Sequence, residues 1–268
     1  MYCFVGTPEF SDWRDIIMNH PFIGYIKDPS EPHSFIIPLR QEQHQYPTSV
    51  IPANTEEQYH TFANKAKFAC YMMKHFPDNI PVTYYYRDSN NSYSNWPDHL
   101  DAQCIIKPIR GHGAIGVQVV NVKEAKDETG QHRHRRRGHG HGHGLGHVVI
   151  SEFVPHHSYW VGHFLTIRGT IIYRIYFTSE SKGNIKRGKI VNYQIHRGPD
   201  LPFNEEIFYQ MFKSTRYSGI TCSDFTVRNG KPLLFEVNPR PGGSLMHDKP
   251  ILNELLQALL DWHKTLVD

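Results

Sequence analysis

The stretch CSDFTVRNGKPLLFEVNPRPGG, residues 222–243, decides how the rest of this chain is read. Two apolar-rich runs flank the turn Arg228-Asn229-Gly230, the pattern of a β-hairpin. Side-chain parity carries the information. With a two-residue loop, facing positions sum to an odd number, and Asp224 and Glu236 fall on opposite faces of the hairpin. A three-residue loop, with Gly230 left-handed after a type I turn, makes the sum even, and that loop is expected here because it unites the two acids. Glu236 and Asn238 are two apart on one strand and point the same way. Two carboxylates and an amide oxygen are hard donors suited to Mg²⁺ or Mn²⁺, with remaining ligands from water and phosphate. Arg240, just beyond, is placed to hold an anionic group. The competing reading of the same residues is a solvated strand face with ordinary charges.

Upstream, CIIKPIRGHGAIGVQVV (residues 104–120) places Gly111, Gly113 and Gly116 in the GxGxxG pattern. A dinucleotide fingerprint needs a helix after the glycines, because the pyrophosphate rests on its N-terminus; here Val-Gln-Val-Val reads as a strand. A kinase-type loop has its lysine after the glycines, whereas Lys107 precedes them. A lysine ending an apolar strand before a glycine hairpin suits a lid over phosphates, with the ammonium on the phosphate oxygens and the glycine backbone closing above. Arg110 and His112 add positive charge to such a lid or face water. The bland alternative is an ordinary hairpin with a snorkelling lysine.

Working outward, Thr55 and Gln58 form a capping box ahead of one helix carrying Tyr59, Phe62, Ala63, Ala66, Cys70 and Met73, closed by Pro77 and Pro81. Strands are expected at 82–86, 104–107, 117–122, 148–154 and along 159–177, the last broken by a turn at Arg168-Gly169. The sheet is expected to be mostly antiparallel. Asn204 caps a helix bearing Phe208, Met211, Phe212 and Thr215, ended by Ser218-Gly219, and a final amphipathic helix carries Leu252, Leu255, Leu256, Leu259 and Leu260. The first residues, to about 54, are proline-rich and polar; they read as a short irregular leading lobe with a helix after Ser11 and a strand at 35–37.

The 268-residue chain is 39% hydrophobic, enough for a core without staples. Cys3, Cys70, Cys104 and Cys222 fall at no metal or redox spacing, so no disulfide framework is expected and a reducing compartment fits. No signal peptide or membrane-spanning run is seen, which reads as cytoplasmic with no membrane partner. A net charge of +3 is mild, and its excess gathers in QHRHRRRGHGHGHGLGH (residues 131–147), so the balance argues against nucleic acid as the main partner. That tract cannot pack a core. It reads as an insertion, with metal binding through its histidines, or nucleic-acid contact through its arginines, as the sharper alternatives.

Taken in order, these motifs resemble the ATP-grasp superfamily, which includes D-alanine ligases and glutathione synthetase-like ligases. NKAKFACYM resembles the family's early nucleotide-contacting element and points to Lys65. Lys107 in IIKP resembles the lysine before the glycine loop. Ser151-Glu152-Phe153-Val154 looks like the linker strand that hydrogen-bonds adenine, through Glu152, Phe153 and Val154. Asp224, Glu236, Asn238 and Arg240 match the final metal motif. Relatives also carry an acid on the strand after the linker, near the ribose, where this chain has Ser158, Tyr159 and Gly162.

The resemblance covers about residues 60–245. It implies an α+β fold of two lobes sandwiching ATP behind the short leading lobe: residues 1–54, then 55–150 with the insertion, then 151–268. It implies an ADP-forming carbon–nitrogen ligase that uses ATP and Mg²⁺ to activate a small-molecule or peptide carboxylate for attack by a nucleophile, with a homodimer allowed. Lys107, Arg240 and Arg174, the last a second anion clamp, are the expected catalytic residues; Lys65, Lys107, Gly111, His112, Gly113, Gly116 and the linker hold nucleotide. The alternative within the family is a small-molecule kinase.

Overall fold

The computed structural model describes residues 2–5, 23–26, 35–38, 54–88, 92–110, 116–134, 147–180, 193–246 and 248–265. Three short strands open the chain, β1 (Tyr2–Val5), β2 (Ile23–Ile26) and β3 (Phe35–Pro38). They form a parallel sheet in the order β2-β1-β3. The leading segment is thus more regular than its composition suggested; only the strand at 35–37 was anticipated. The helix expected after Ser11 lies outside the described residues.

The capping box forms as expected: Gln58 N donates to Thr55 Oγ1, and Thr55 N donates to Gln58 Oε1. The helix it opens is not continuous. α1 (Glu56–Ala63) stops at Asn64, whose Oδ1 then caps α2 (Lys65–His75) by accepting from Ala66 N and Lys67 N. An asparagine in mid-pattern competes with the helix backbone and restarts it at a new angle. That restart puts Lys65 at the first position of a new helix, and Lys65 N donates to the carbonyl of Ile109 at 3.0 Å.

Two five-stranded antiparallel sheets follow. The first has the order β5-β4-β8-β6-β7, with β4 (Thr83–Arg87), β5 (Ser92–Ser94), β6 (Gln103–Pro108), β7 (Gln118–Asn121) and β8 (Val148–Glu152). The glycine segment joins the antiparallel neighbours β6 and β7, so a strand follows the glycines as the sequence indicated. A helix was missed directly after it. α3 (Val122–His134) buries Val122 and Ala125 one turn apart beneath this sheet, but with two small apolar residues the period was too faint to read.

The second sheet has the order β11-β10-β9-β12-β13 and comprises β9 (Ser158–Ile167), β10 (Thr170–Glu180), β11 (Gln194–His196), β12 (Gly219–Arg228) and β13 (Lys231–Asn238). One face packs on α6 (Lys249–Lys264), which buries Ile251, Leu252, Leu255, Leu256, Leu259 and Leu260. Each such side chain contributes about 1.5–3 kcal/mol on burial. The other face packs on α4 (Glu206–Thr215) and on α1 and α2 in one aromatic core that includes Phe62, Phe164, Phe208, Phe212 and Phe225. Asn204 Oδ1 accepts from Glu206 N, although Glu205 is the residue that flanks α4, and α4 ends at Arg216 in the left-handed conformation, before Ser218-Gly219.

Candidate active site

The hairpin of residues 219–238 unites its acids by a different device from the one expected. Its loop has two residues, Asn229 (φ 54°) and Gly230 (φ 72°), with Arg228 facing Lys231. Both residues are left-handed, as in the type I′ turn whose twist matches paired strands. Odd parity persists to Phe225 facing Leu234; then a bulge gives β13 one extra residue, Phe235, and Asp224 faces Glu236 directly. The shared face was right and the turn was wrong. A bulge within a strand leaves no residue signature as clear as a loop glycine.

The bulge sets Phe235 beside Glu236, and the ring stacks on Tyr159 at 6.2 Å and lies 5.3 Å beneath the Lys107 ammonium. Tyr159 also hydrogen-bonds to Asp224. Lys107 comes from the end of β6 and Lys65 from the start of α2, and the Lys65–Ile109 backbone bond holds those two ends together. Lys65 Nζ lies 3.2 Å from Glu236 Oε2. Asn238 Nδ2 donates to Glu236 Oε1 at 3.1 Å and to Asp224 Oδ2 at 3.2 Å.

Electrostatics separates the acids. Burial and then the Glu236 charge push the Asp224 carboxyl well above the ordinary carboxylate range. Burial acts on Glu236 in the same direction, but Lys65, Lys107 and the Asn238 amide outweigh it and hold Glu236 below its ordinary value. Burial also lowers Lys107, with Glu236 opposing and Lys65 reinforcing. Two close carboxylates with an amide at their side form the oxygen donor set that a hard divalent cation fits, since it would relieve the repulsion that raises Asp224. Among the described residues no group of three or more His, Cys, Asp or Glu gathers as a metal site. An Mg²⁺ ion held by these residues would complete its shell from water and phosphate oxygens.

Further along the same face of the sheet, opposite Cys222, His163 is fully buried, its Nε2 within 2.6 Å of Ser244 Oγ. Burial, with the Arg240 charge, pushes its pKa down to about 3, so the ring is neutral. Gly242 packs so closely that a Cβ there would stand 2.4 Å from Cys222 Sγ and 2.6 Å from His163 Cε1. That contact seats the turn after Arg240 and precedes α5 (Gly243–Met246). Arg240 Nη1 donates to the Pro241 carbonyl at 3.0 Å, and the Arg240 charge acts on Asp224.

The structure therefore brings together Lys65, Lys107, Asp224, Glu236, Asn238 and Arg240. It does not bring Arg174 there. Arg174 faces Phe164 across the β9–β10 ladder, on the α4 side of the sheet, and is bound to Glu205 at 2.6 and 3.2 Å. Strand parity alone would have kept it on the acidic face: the β9–β10 hairpin begins with Thr170 facing Ile167, and only the irregularity between Ile171 and Tyr173 brings Arg174 opposite Phe164, whereas Asp224 faces Val161. Gly116 (φ 75°) starts the return toward β7, and a Cβ there would meet Pro108 Cγ at 2.9 Å. Gly111, His112 and Gly113 lie outside the described residues.

At the end of β8, Glu152 N donates to Val82 O and Phe153 N to Gln103 O, while the Glu152 carboxylate pairs with Arg228 at 2.8 Å. His156 Nδ1 sits 2.9 Å from the Val154 carbonyl, and its ring lies 5.4 Å from Phe235. A chain of rings, His156, Phe235 and Tyr159, thus connects the linker to the acidic face. Sequence reasoning missed Tyr159, Phe235, His156 and His163 as parts of the site; the histidine-tyrosine run HHSYW was visible, but the bulge that aims Phe235 at it was not.

A family model described as an ATP-grasp domain matches residues 62–244. The chain belongs to the ATP-grasp family. This family binds ATP, and the solved structures similar to this member include amide-bond-forming ligases. D-alanine–D-alanine ligase from Bacillus anthracis superposes with a TM-score of 0.59 at 12% identity, covering 99% of each chain. Phosphoribosylamine–glycine ligase from Thermotoga maritima gives 0.60 at 15%, covering 98% of this chain and 75% of that one. D-cycloserine synthetase gives 0.57 at 12%, covering 98% and 99%. At such identities the likeness is one of fold, the α+β ATP-grasp fold over nearly the whole chain. No curated protein sequence matches this ATP-grasp chain. Among the described residues no helix is long and apolar enough to cross a membrane.

Proposed function

We propose that this ATP-grasp protein is an ADP-forming ligase that activates a carboxylate as an acyl phosphate and joins it to an amine. The observation that supports this most is the pairing of Asp224 with Glu236 across the bulge, faced by Lys65 and Lys107 from two other elements. A carboxylate nucleophile and a γ-phosphate are both anionic, so cations must hold them in line. Lys107 and Lys65 supply fixed positive charge to the phosphates, and Arg240 binds the transferring group. Asp224, Glu236 and Asn238 would hold Mg²⁺, which supplies charge neutralisation at the phosphate oxygens when bound.

In the reaction, a carboxylate oxygen attacks the γ-phosphorus, the bond to ADP breaks, and the acyl phosphate forms. The amine nitrogen then attacks the acyl carbon, phosphate leaves, and the surplus amine proton passes to solvent. The Phe153 carbonyl and the Val154 N–H have no hydrogen-bond partner among the described residues, so they offer one acceptor and one donor to a purine edge. Phosphate binding through the glycine segment, with Gly111, His112, Gly113 and Gly116, belongs to the same proposal. Cys70, Cys104 and Cys222 are unpaired thiols, which supports a reducing compartment such as the cytoplasm.

The test is a screen of carboxylic acids paired with amines, read by ADP and phosphate release. Release that requires both partners is the expected result. Nucleotide-dependent phosphorylation of one partner alone, with no amide formed, would make the protein a kinase instead.

A further inference from the structure

We propose that Lys65 makes metal occupancy of the acidic face conditional on a bound polyphosphate. In the ligand-free protein its ammonium takes the place of a divalent cation, and the metal enters with the nucleotide rather than before it. The inference rests on the reading of Asp224, Glu236 and Asn238 as the metal-holding set.

Both carboxylates of that set already have cationic or hydrogen-bonding partners. Glu236 Oε2 faces Lys65 Nζ at 3.2 Å, Glu236 Oε1 accepts from Asn238 Nδ2, and the same Nδ2 reaches Asp224 Oδ2. Asp224 is also bonded by Tyr159, and Lys107 adds a second positive charge beside Glu236. A free divalent cation would need the lone pairs that Lys65 and Asn238 now use, and would enter beside two ammonium groups.

Lys65 is not a surface lysine that happens to swing in. Its side chain is 13% exposed, and its backbone is fixed twice over, by the Asn64 cap that opens α2 and by the bond from Lys65 N to Ile109 O. A partly buried pair of this kind is costly to break unless each charge gains another partner. A polyphosphate supplies that partner to both lysines at once. Its oxygens draw Lys65 and Lys107 away from Glu236 and simultaneously add negative charge next to the freed acids, so metal affinity rises through one linked exchange.

The experiment is a titration of the full chain with Mn²⁺, read by electron paramagnetic resonance, with and without a non-hydrolysable ATP analogue. Wild-type protein should bind Mn²⁺ at least about tenfold more tightly with the analogue than without it, and Lys65→Met and Lys65→Gln should bind Mn²⁺ alone at least about tenfold more tightly than wild type. Lys65→Arg, which keeps the cation, should exclude free Mn²⁺ as wild type does. The histidine tract is present in every variant, so any metal held there is common to all of them and drops out of the comparison. Neutral variants no tighter than wild type, or an arginine variant as tight as the neutral ones, would overturn the inference while leaving the metal site standing. Retained Mn²⁺ binding in Glu236→Ala with the analogue would remove the metal site itself, and the inference with it.

Discussion

His163 is buried and Asp224 half-buried; their protonation is displaced in opposite senses, and each leaves a signature in the pH dependence of stability. His163 is held neutral with its pKa near 3, so the unfolded chain binds a proton below about 6.5 that the folded chain refuses. Stability from this group is complete above 6.5 and is lost as pH falls. The advantage of wild type over His163→Gln should therefore narrow below pH 6.5, by up to about 1.4 kcal/mol per unit, in denaturant titrations. Asp224 has the opposite sign, because its folded pKa is raised and the folded chain keeps a proton that the unfolded chain releases above about 4. In metal-free protein, Asp224→Asn should gain stability on wild type as pH rises from that point, and a flat difference between the two would contradict the raised carboxyl. The same substitution, like Glu236→Gln, should lower ADP formation by at least about a hundredfold. Stability gained with activity lost would mark Asp224 as a functional acid carried at a cost to the ligand-free fold.

At the scale of the element, the bulge in β13 and the turn after it do what neither strand alone can. The bulge turns Glu236 toward Asp224, and the Gly242 turn locks the strand's continuation against Cys222 and His163. Gly242→Ala should destabilise the protein by about 2 kcal/mol, since its methyl group would displace packed sulfur and ring atoms. Adding Cys222→Ala should recover part of that loss, because the nearest obstructing atom is then gone; thermal unfolding of the single and double variants measures the coupling. The hairpin, the capping box, the lysine before the glycines and the final amphipathic helix were legible because each rests on local pattern. The break at Asn64 and the bulge at Phe235 were not, because a helix or strand can absorb either choice and only packing selects one.

Across the whole molecule, one aromatic cluster joins the two five-stranded sheets. Tyr86, Ile109 and Val149 from the first five-stranded sheet share one aromatic cluster with Phe62 and Phe68 of the helices and with Trp160, Phe164 and Phe225 of the second sheet. Phe62 meets both Phe212 and Tyr217 edge-on, at 5.8 and 5.1 Å. Ion pairs reinforce the junction, among them Glu152–Arg228 and Asp78–Lys231. Residues 54–265 should therefore unfold as one unit, with Trp96, which follows β5 and stacks on Tyr85 of the first sheet, and Trp160 of the second sheet reporting the same midpoint. Two separated transitions would show that the sheets are independent. Phe62→Ala should cost about 3–5 kcal/mol and lower both reports together.

The sequence by itself determined the chemical inventory of this ATP-grasp chain. Lys65, Lys107, Asp224, Glu236, Asn238 and Arg240 stand in motif order, in local patterns strong enough to read as strand ends, glycine hairpin and acidic strand face. Tertiary structure decided which of them meet. Arg174 had the right charge and lay on the wrong face, bound to Glu205. Tyr159, His156 and His163, plain residues in the sequence, entered the site because sheet pairing stacked them against it. The reason is that charge and residue type are local properties, whereas facing, burial and pairing depend on a register that one extra residue, Phe235, can invert.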